Sequence, residues 1–240
     1  MNLIRKIFRR MYFLHNIVIS MLSIANPYIQ WVGHNITKIQ ALKKAFFYCF
    51  VEKVDGDYLE FGVFEGASFI SAFLSDFRVN NYKSNRRFLG FDSFEGFKIT
   101  ENIDKHPLFK EGNFKSDYEF TEKRIRKVIK NHAEYKIVKG RFEDVIQNKT
   151  ALDFGVSKIA VVLIDCDLHT PAKIALDFIK DSLQEGSILL LDDYFAYKGN
   201  RKKGVSGAFE LFKSANKNFE FRRIFDYGYG GVAFIISRIR

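Results

Sequence analysis

The stretch YLEFGVFEGASF, Tyr58 to Phe69, decides how the rest of the chain is read. An apolar run carries one acid, Glu60, and breaks at Gly62; a second glycine, Gly66, precedes a segment that can be helical. This is the pattern of a strand passing to a helix through a tight turn, where glycine reaches backbone conformations that other residues avoid. A dinucleotide-binding turn wants G-x-G-x-x-G, so that a pyrophosphate can sit at the helix start. Here Phe64 stands in the place of the middle glycine and Glu65 adds negative charge, and both oppose a pyrophosphate. An E-x-G-x-x-x-G turn suits a cofactor that has no phosphate and carries positive charge. S-adenosylmethionine, with an ammonium and a sulfonium, is such a cofactor.

Outward from that turn, apolar runs and helical patterns alternate. Tyr58 to Gly62, the run ending at Asp92, Tyr135 to Val138, Ile159 to Ile164 and the segment SILLLDDYF read as strands. Thr37 to Lys53, Ala67 to Phe77, Thr121 to Asn131, Thr170 to Leu183 and Gly207 to Ala215 read as helices, with Gly186 placed where a helix stops. In the first helix, Ile39, Leu42, Ala45, Phe46 and Cys49 share a face. Phe219 to Phe225 and Gly231 to Ile236 flank a glycine-rich turn and read as a strand pair. Lys98 to Tyr118 is polar and irregular, a loop expected to cover a site. Such alternation predicts an α/β fold with a mostly parallel sheet, right-handed crossovers and an antiparallel C-terminal strand.

The bulk numbers fit one domain with an extension. The chain has 240 residues, 47% hydrophobic and 28% charged, with only 3 prolines. Its two cysteines, Cys49 and Cys166, make neither a zinc motif nor a disulfide framework, so a reducing cytoplasm is expected. The formal charge of +10 is spread out and does not choose a partner.

Several predicted strands end in acids: Glu60, Asp92, Asp165 with Asp167, and Asp192 with Asp193. Ligands of open α/β sheets bind outside the carboxyl ends of the strands, so these acids should face one crevice. Asp92 is placed to accept two ribose hydroxyls. With the segments GFDSFEGF, VKGRFEDVI, LIDCDLHTPAKIAL and LLLDDYF, the opening stretch resembles class I S-adenosylmethionine-dependent methyltransferases, and more narrowly the macrocin O-methyltransferase family of sugar O-methyltransferases. The resemblance covers about residues 55–195 and leaves the first forty residues outside.

The resemblance implies a Rossmann-like, seven-stranded domain over residues 37–240. It implies that Glu60, Gly62, Gly66 and Ser68 lie beside the methionine part of the cofactor, Asp92 and Ser93 at the ribose, and Gly140, Arg141 and Phe142 near the adenine. It implies that Asp165, Asp192 and Asp193 hold a divalent metal, usually magnesium. Asp165 is then metal ligand and possible proton acceptor, and Asp167 or His169 a candidate base. Cys166 and His169 depart from the antibiotic-tailoring members, which bears on the acceptor rather than on the metal set. A sugar-containing substrate is the expected partner.

Other functions fit less well. Nucleic-acid amino methylation commonly uses an Asn or Asp, Pro, Pro, aromatic tetrapeptide where this chain has DCDLH, and no RNA-binding module is present, so no nucleic-acid partner is expected. A non-catalytic membrane-associated subunit would not need the full set of strand-end acids. Residues 1–36 form a separate basic extension, with Arg5, Lys6, Arg9 and Arg10 among apolar residues. The tripeptide SIA ending at Ala25 could end a signal peptide, but His15 and Asn16 interrupt the apolar stretch, and with Pro27 they also disfavour a membrane span. A basic amphipathic helix lying on an anionic membrane surface through residues 1–35, or packing on a partner in a homo-oligomer, fits better. The expected place is the cytoplasm, at the inner face of a membrane.

Overall fold

The computed structural model describes residues 30–240. The long first helix, α1 (Gln30–Glu52), leads into β1 (Asp57–Phe61), α2 (Ala67–Val79) and β2 (Phe88–Asp92). After an irregular loop come α3 (Tyr118–Ile129), β3 (Tyr135–Lys139) and the short α4 (Phe142–Val145). The second half contains β4 (Ile159–Ile164), α5 (His169–Ile179), β5 (Leu183–Leu191), α6 (Gly204–Ala215), β6 (Phe219–Tyr227) and β7 (Gly231–Ile239). The seven strands form one sheet in the order β3-β2-β1-β4-β5-β7-β6. β1 to β5 pair in parallel, and β7 runs antiparallel to both β5 and β6. This is the fold class expected from the alternating pattern.

The central strands read as continuous apolar runs because both their faces are covered. Every residue of β4 is buried. One face packs on α4, α5 and α6 through residues such as Phe142, Leu176, Phe178 and Phe209. The other packs on α1, α2 and α3 through Leu42, Phe46, Phe69, Phe73 and Ile125. Tyr58 and Glu60, two positions apart on β1, both point to the α1 side, where the Tyr58 hydroxyl donates to Glu60 Oε2 at 2.5 Å.

Two local expectations shift. Gly186 lies inside β5 and does not end a helix; α5 stops at Ile179, and a single 3-10 turn carries the chain into the strand. The reason is a bulge: Ile159 pairs with Leu183 and Val161 with Ile188, and the extra β5 residues include Gly186 at φ +88°. The first helix begins at Gln30 and runs through the boundary expected at 36/37. The proposed membrane or partner contact falls mostly on residues 1–29, outside the described residues. No helix among the described residues is long and apolar enough to cross a membrane.

Candidate active site

The sheet reverses its order of winding between β1 and β4, the position where open α/β sheets bind ligands. A cavity of about 270 Å³ opens there. The residues after β1, β2, β4 and β5 reach it, and backbone ladders that extend one step past the strand ends set them at a common level. Gly62 N–H donates to Phe91 C=O, Gly140 N–H to Asp92 C=O, Asp165 N–H to Phe61 C=O, and Asp192 N–H to Ile164 C=O, all at 2.8–2.9 Å.

On the β1–β2 side the acids shape the turn. Asp92 Oδ2 accepts the amides of Val63 and Phe64 at 2.8 Å, and Oδ1 accepts that of Phe94 at 2.7 Å. A carboxylate has about four acceptor positions, so one remains for a ligand. Burial pushes the Asp92 carboxyl up, against the pull of these three amides. Glu60 is fully buried and accepts the Ser68 hydroxyl at 2.6 Å as well as Tyr58. Burial raises its carboxyl to about 7 in spite of both hydrogen bonds. Gly62, at φ +98°, leaves no room for a side chain: a Cβ would lie 1.9 Å from the Asp165 carbonyl oxygen.

Of the nine residues expected at the cofactor, Gly62, Asp92, Ser93, Arg141 and Phe142 line the cavity. Glu60 and Ser68 stand behind its wall, bonded to each other. Gly66 starts α2 in a left-handed conformation packed on Ile125, and Gly140 turns against Val145. These two glycines serve the turns and not the cavity lining.

The β4–β5 side is crowded with charge. Asp165, Asp167 and Asp193 each present an oxygen atom, all within 4.8 Å of one another. Asp167 and Asp193 hold left-handed backbone at φ 61° and 48°, a strain that collects at functional sites. Burial, then the neighbouring Asp193, pushes the Asp167 carboxyl well up. Asp192 is placed differently. Its Oδ2 accepts Lys38 Nζ at 2.6 Å and faces His34 Nε2 at 3.1 Å. Lys38 Nζ also lies 2.6 Å from Asp165 Oδ2. Burial alone would raise Asp192, but Lys38 and His34 hold it well below the ordinary carboxylate range. Burial likewise works against the Lys38 ammonium, and the two aspartates more than offset it.

His34 is itself aligned from the β6–β7 turn. The Tyr229 amide donates to His34 Nδ1 at 3.3 Å, which leaves Nε2 to carry the proton toward Asp192. Gly228 makes this possible, since a Cβ there would come within 2.3 Å of the ring. The Tyr227 hydroxyl is buried and without a hydrogen-bond partner among the described residues. Burial raises it, and Asp192, Asp165 and Asp193 raise it further.

The loop after β2 forms the outer wall. Leu108, Phe109 and Phe114 line the cavity with Phe97 and Phe64. The loop is anchored by Asp104, fully buried, whose carboxylate accepts the amides of His169 and Thr170 and the Thr170 hydroxyl. Its carbonyl accepts the Tyr197 hydroxyl at 2.9 Å. His169 is therefore not placed as a base. It starts α5, its ring is buried against Gly207 of α6, and it does not line the cavity. Burial holds its imidazole below the usual range.

A family model described as macrocin-O-methyltransferase (TylF) matches residues 29–220. The chain belongs to this family. The match begins at residue 29, so α1, which the sequence segments had left outside the resemblance, lies within the macrocin-O-methyltransferase region. Solved structures share the fold. The O-methyltransferase NovP is 18% identical, with 84% of this chain and 79% of that one covered and a TM-score of 0.67. CalS11, a calicheamicin methyltransferase, is 18% identical over 92% and 85% of the two chains, with a TM-score of 0.66. TomG, an O-methyltransferase solved with S-adenosylmethionine, is 14% identical over 82% and 80%, with a TM-score of 0.51. No curated protein matches the chain in sequence.

The metal expected in this O-methyltransferase finds hard oxygen donors at the ends of β4 and β5. The convergent trio is Asp165, Asp167 and Asp193, whose mutual crowding a divalent cation would relieve. Asp192 turns Oδ2 to Lys38 and His34 of α1, while its Oδ1 is buried without a hydrogen-bond partner among the described residues. Lys38, His34 and Tyr227 escaped the sequence reading. Lys38 left a signal: it stands on the buried stripe of α1 with Leu42, Ala45 and Cys49, where a lysine needs an acidic partner.

Proposed function

We propose that this O-methyltransferase moves the methyl group of S-adenosylmethionine onto a hydroxyl of a sugar in a glycan, glycolipid or glycosylated small molecule. The observation that carries the reading is the meeting, in one cavity, of the turn after β1, whose Phe64 and Glu65 oppose a pyrophosphate, and a trio of acids able to hold a cation. The printed description of the family, and that of CalS11 in a second structure as a TDP-rhamnose 3'-O-methyltransferase, support a sugar acceptor.

In this reading Asp92 and Ser93 take the ribose, and Arg141 with Phe142 borders the adenine. Glu60 acts from behind the wall, its charge favouring the cofactor's ammonium. The acceptor lies between the acid trio and the aromatic wall of Phe64, Phe97 and Phe114. Its oxygen lines up with the methyl–sulfur bond, and this alignment is the main contribution of the protein. The new C–O bond forms as the C–S bond breaks, the sulfonium leaves as the neutral thioether S-adenosylhomocysteine, and the hydroxyl proton passes to Asp167. Asp165, Asp167 and Asp193 would hold magnesium or a similar ion, which when bound lowers the pKa of an alcohol beside it. The catalytic unit includes α1 from Gln30 onward. Residues 1–29 contact an anionic membrane surface, and equal liposome binding with and without them would remove that part of the reading.

The test is to incubate the protein with methyl-labelled S-adenosylmethionine and a panel of nucleotide-linked sugars, glycolipids and RNA, with magnesium or with a chelator. Label on a sugar oxygen, reduced by the chelator, supports the reading. Label on RNA, or on none of the acceptors, speaks against it.

A further inference from the structure

α1 has two apolar faces, and the core covers one of them. Ala41, Leu42, Ala45, Phe46 and Cys49 are buried against the sheet and its neighbours. At about 100° of turn per residue, Ile36, Gln40, Lys43, Phe47, Phe50 and Val51 fall together on the opposite side. Ile36, Phe47, Phe50 and Val51 are 39%, 58%, 46% and 55% exposed. Single apolar residues on a surface are ordinary, but four on one helical stripe mark a contact. Lys43 and Lys44 stand midway along the stripe, both exposed. Lys44 Nζ lies 4.9 Å from the centre of the Phe225 ring of β6. The stripe contains no acid. Nor does the chain before it, where Arg5, Lys6, Arg9 and Arg10 stand among apolar residues; the first acid is Glu52.

We infer that the outward face of α1 is a docking surface for an anionic lipid bilayer, so that the catalytic domain itself, and not only the extension before it, lies against the membrane. An interfacial helix buries an apolar face at the boundary of headgroups and acyl chains, while its basic side chains meet anionic headgroups. Phe47, Phe50 and Val51 supply the first element, Lys43 and Lys44 the second. The lysine stems lie along the apolar surface while their ammonium groups reach the headgroups. A second copy of the chain fits the face less well. Lys43 and Lys44 mark the middle of the stripe, so a two-fold partner laid along it sets these ammonium groups against their own images, with no acid to pair them. Anionic lipid supplies the missing charge. Docking also fixes where the cavity sits. His34, Asn35 and Lys38, from the amino half of the same helix, line it, so a bilayer along α1 holds the cavity close to the lipid surface.

The test is co-sedimentation of the full-length protein with vesicles of mixed phosphatidylcholine and phosphatidylglycerol, and with vesicles of phosphatidylcholine alone. Wild type, Phe47→Ser/Phe50→Ser, Lys43→Gln/Lys44→Gln, Arg9→Gln/Arg10→Gln and Leu211→Ser are compared; Leu211 is an exposed apolar residue of α6, on the other side of the sheet. Wild type should bind the anionic vesicles about tenfold more tightly than the neutral ones. Each α1 double variant should weaken that binding about tenfold, and Leu211→Ser should leave it unchanged. A polarity-sensitive dye on Phe50→Cys should shift to the blue with anionic vesicles, and one on Leu211→Cys should not; both native cysteines are buried, which keeps the labelling selective. Loss in Arg9→Gln/Arg10→Gln alone, with both α1 variants binding like wild type, would overturn the inference and leave the membrane contact to the extension. A wild-type dimer that Phe47→Ser/Phe50→Ser dissociates in sedimentation equilibrium would overturn it in favour of a second copy, and so would no vesicle binding by wild type. S-adenosylhomocysteine binding on the same samples shows that the variants are folded, and its absence from wild type would refute the methyltransferase reading without touching the docking surface.

Discussion

Among the described residues, the buried charges at the amino ends of β1 and β2 are matched, whereas at the carboxyl ends of β4 and β5 acids outnumber their partners. At the amino end Arg86 bonds Asp76 at 2.8 Å and caps the carbonyls of Val54 and Gly56, and Asn80 and Ser84 complete the shell of Asp76. Beside it Arg87 pairs with Asp57, the first residue of β1, and reaches the Gly155 carbonyl. At the carboxyl end Asp165, Asp167, Asp192 and Asp193 have one ammonium among the described residues, Lys38, with His34 beside it. One end of the sheet is finished by the chain itself. The other is left for something positive to finish, which is how a site, as distinct from a scaffold, stores unfavourable electrostatics.

The comparison is broken most severely by removing an acid from the open end. Asp167→Asn should lower turnover about a thousandfold, the range of a lost proton acceptor. Without a cation it should also raise stability by about 1 kcal/mol, because like charges no longer crowd. Turnover assays and thermal melts read the two effects, and a destabilised variant would contradict the comparison. The closed end should behave in the opposite way. Arg86→Met strands Asp76 and two carbonyls in a buried shell and should cost about 3 kcal/mol in denaturant unfolding, with cofactor affinity per folded molecule unchanged. At the carboxyl end of β1, Gly62→Ala forces a Cβ onto the Asp165 carbonyl and should cost about 2 kcal/mol, lowering the melting temperature by roughly 5 °C.

The smallest effect concerns pH. The Glu60 carboxyl of the free protein is raised to about 7, so near neutrality it is partly protonated. A cofactor ammonium favours the ionised form, so binding releases a proton and tightens as pH rises. From pH 6 to pH 8 the affinity for S-adenosylmethionine should increase by up to about tenfold. Calorimetry at the two pH values should show this in wild type and a flat response in Glu60→Gln.

The sheet and its winding were legible because the signals are local: unbroken apolar runs for β4 and β5, and a glycine turn after β1. The acids after the strands were legible for the same reason, since ladder geometry brings the residues after neighbouring parallel strands to one level. What each acid does was not. Asp165 and Asp192 are met by Lys38 from positions more than a hundred residues away, and the backbone of His169 is capped by Asp104, 65 residues earlier. Sequence spacing carries no trace of such pairings. The lysine on an apolar stripe was the one available clue. Gly186 misled because a glycine in a bulged strand and a glycine after a helix look alike in sequence.

The central claim is that the cavity at the β1–β4 crossover binds the methyl donor through the β1–β2 turn. Calorimetric titration with S-adenosylhomocysteine, on wild type and on Asp92→Asn, tests it most directly. The account predicts one site per chain in wild type and at least a tenfold loss per folded molecule in the variant, whose melting temperature should also fall because its NH2 must face a backbone N–H. Equal binding by both proteins, or no binding by wild type, would contradict it.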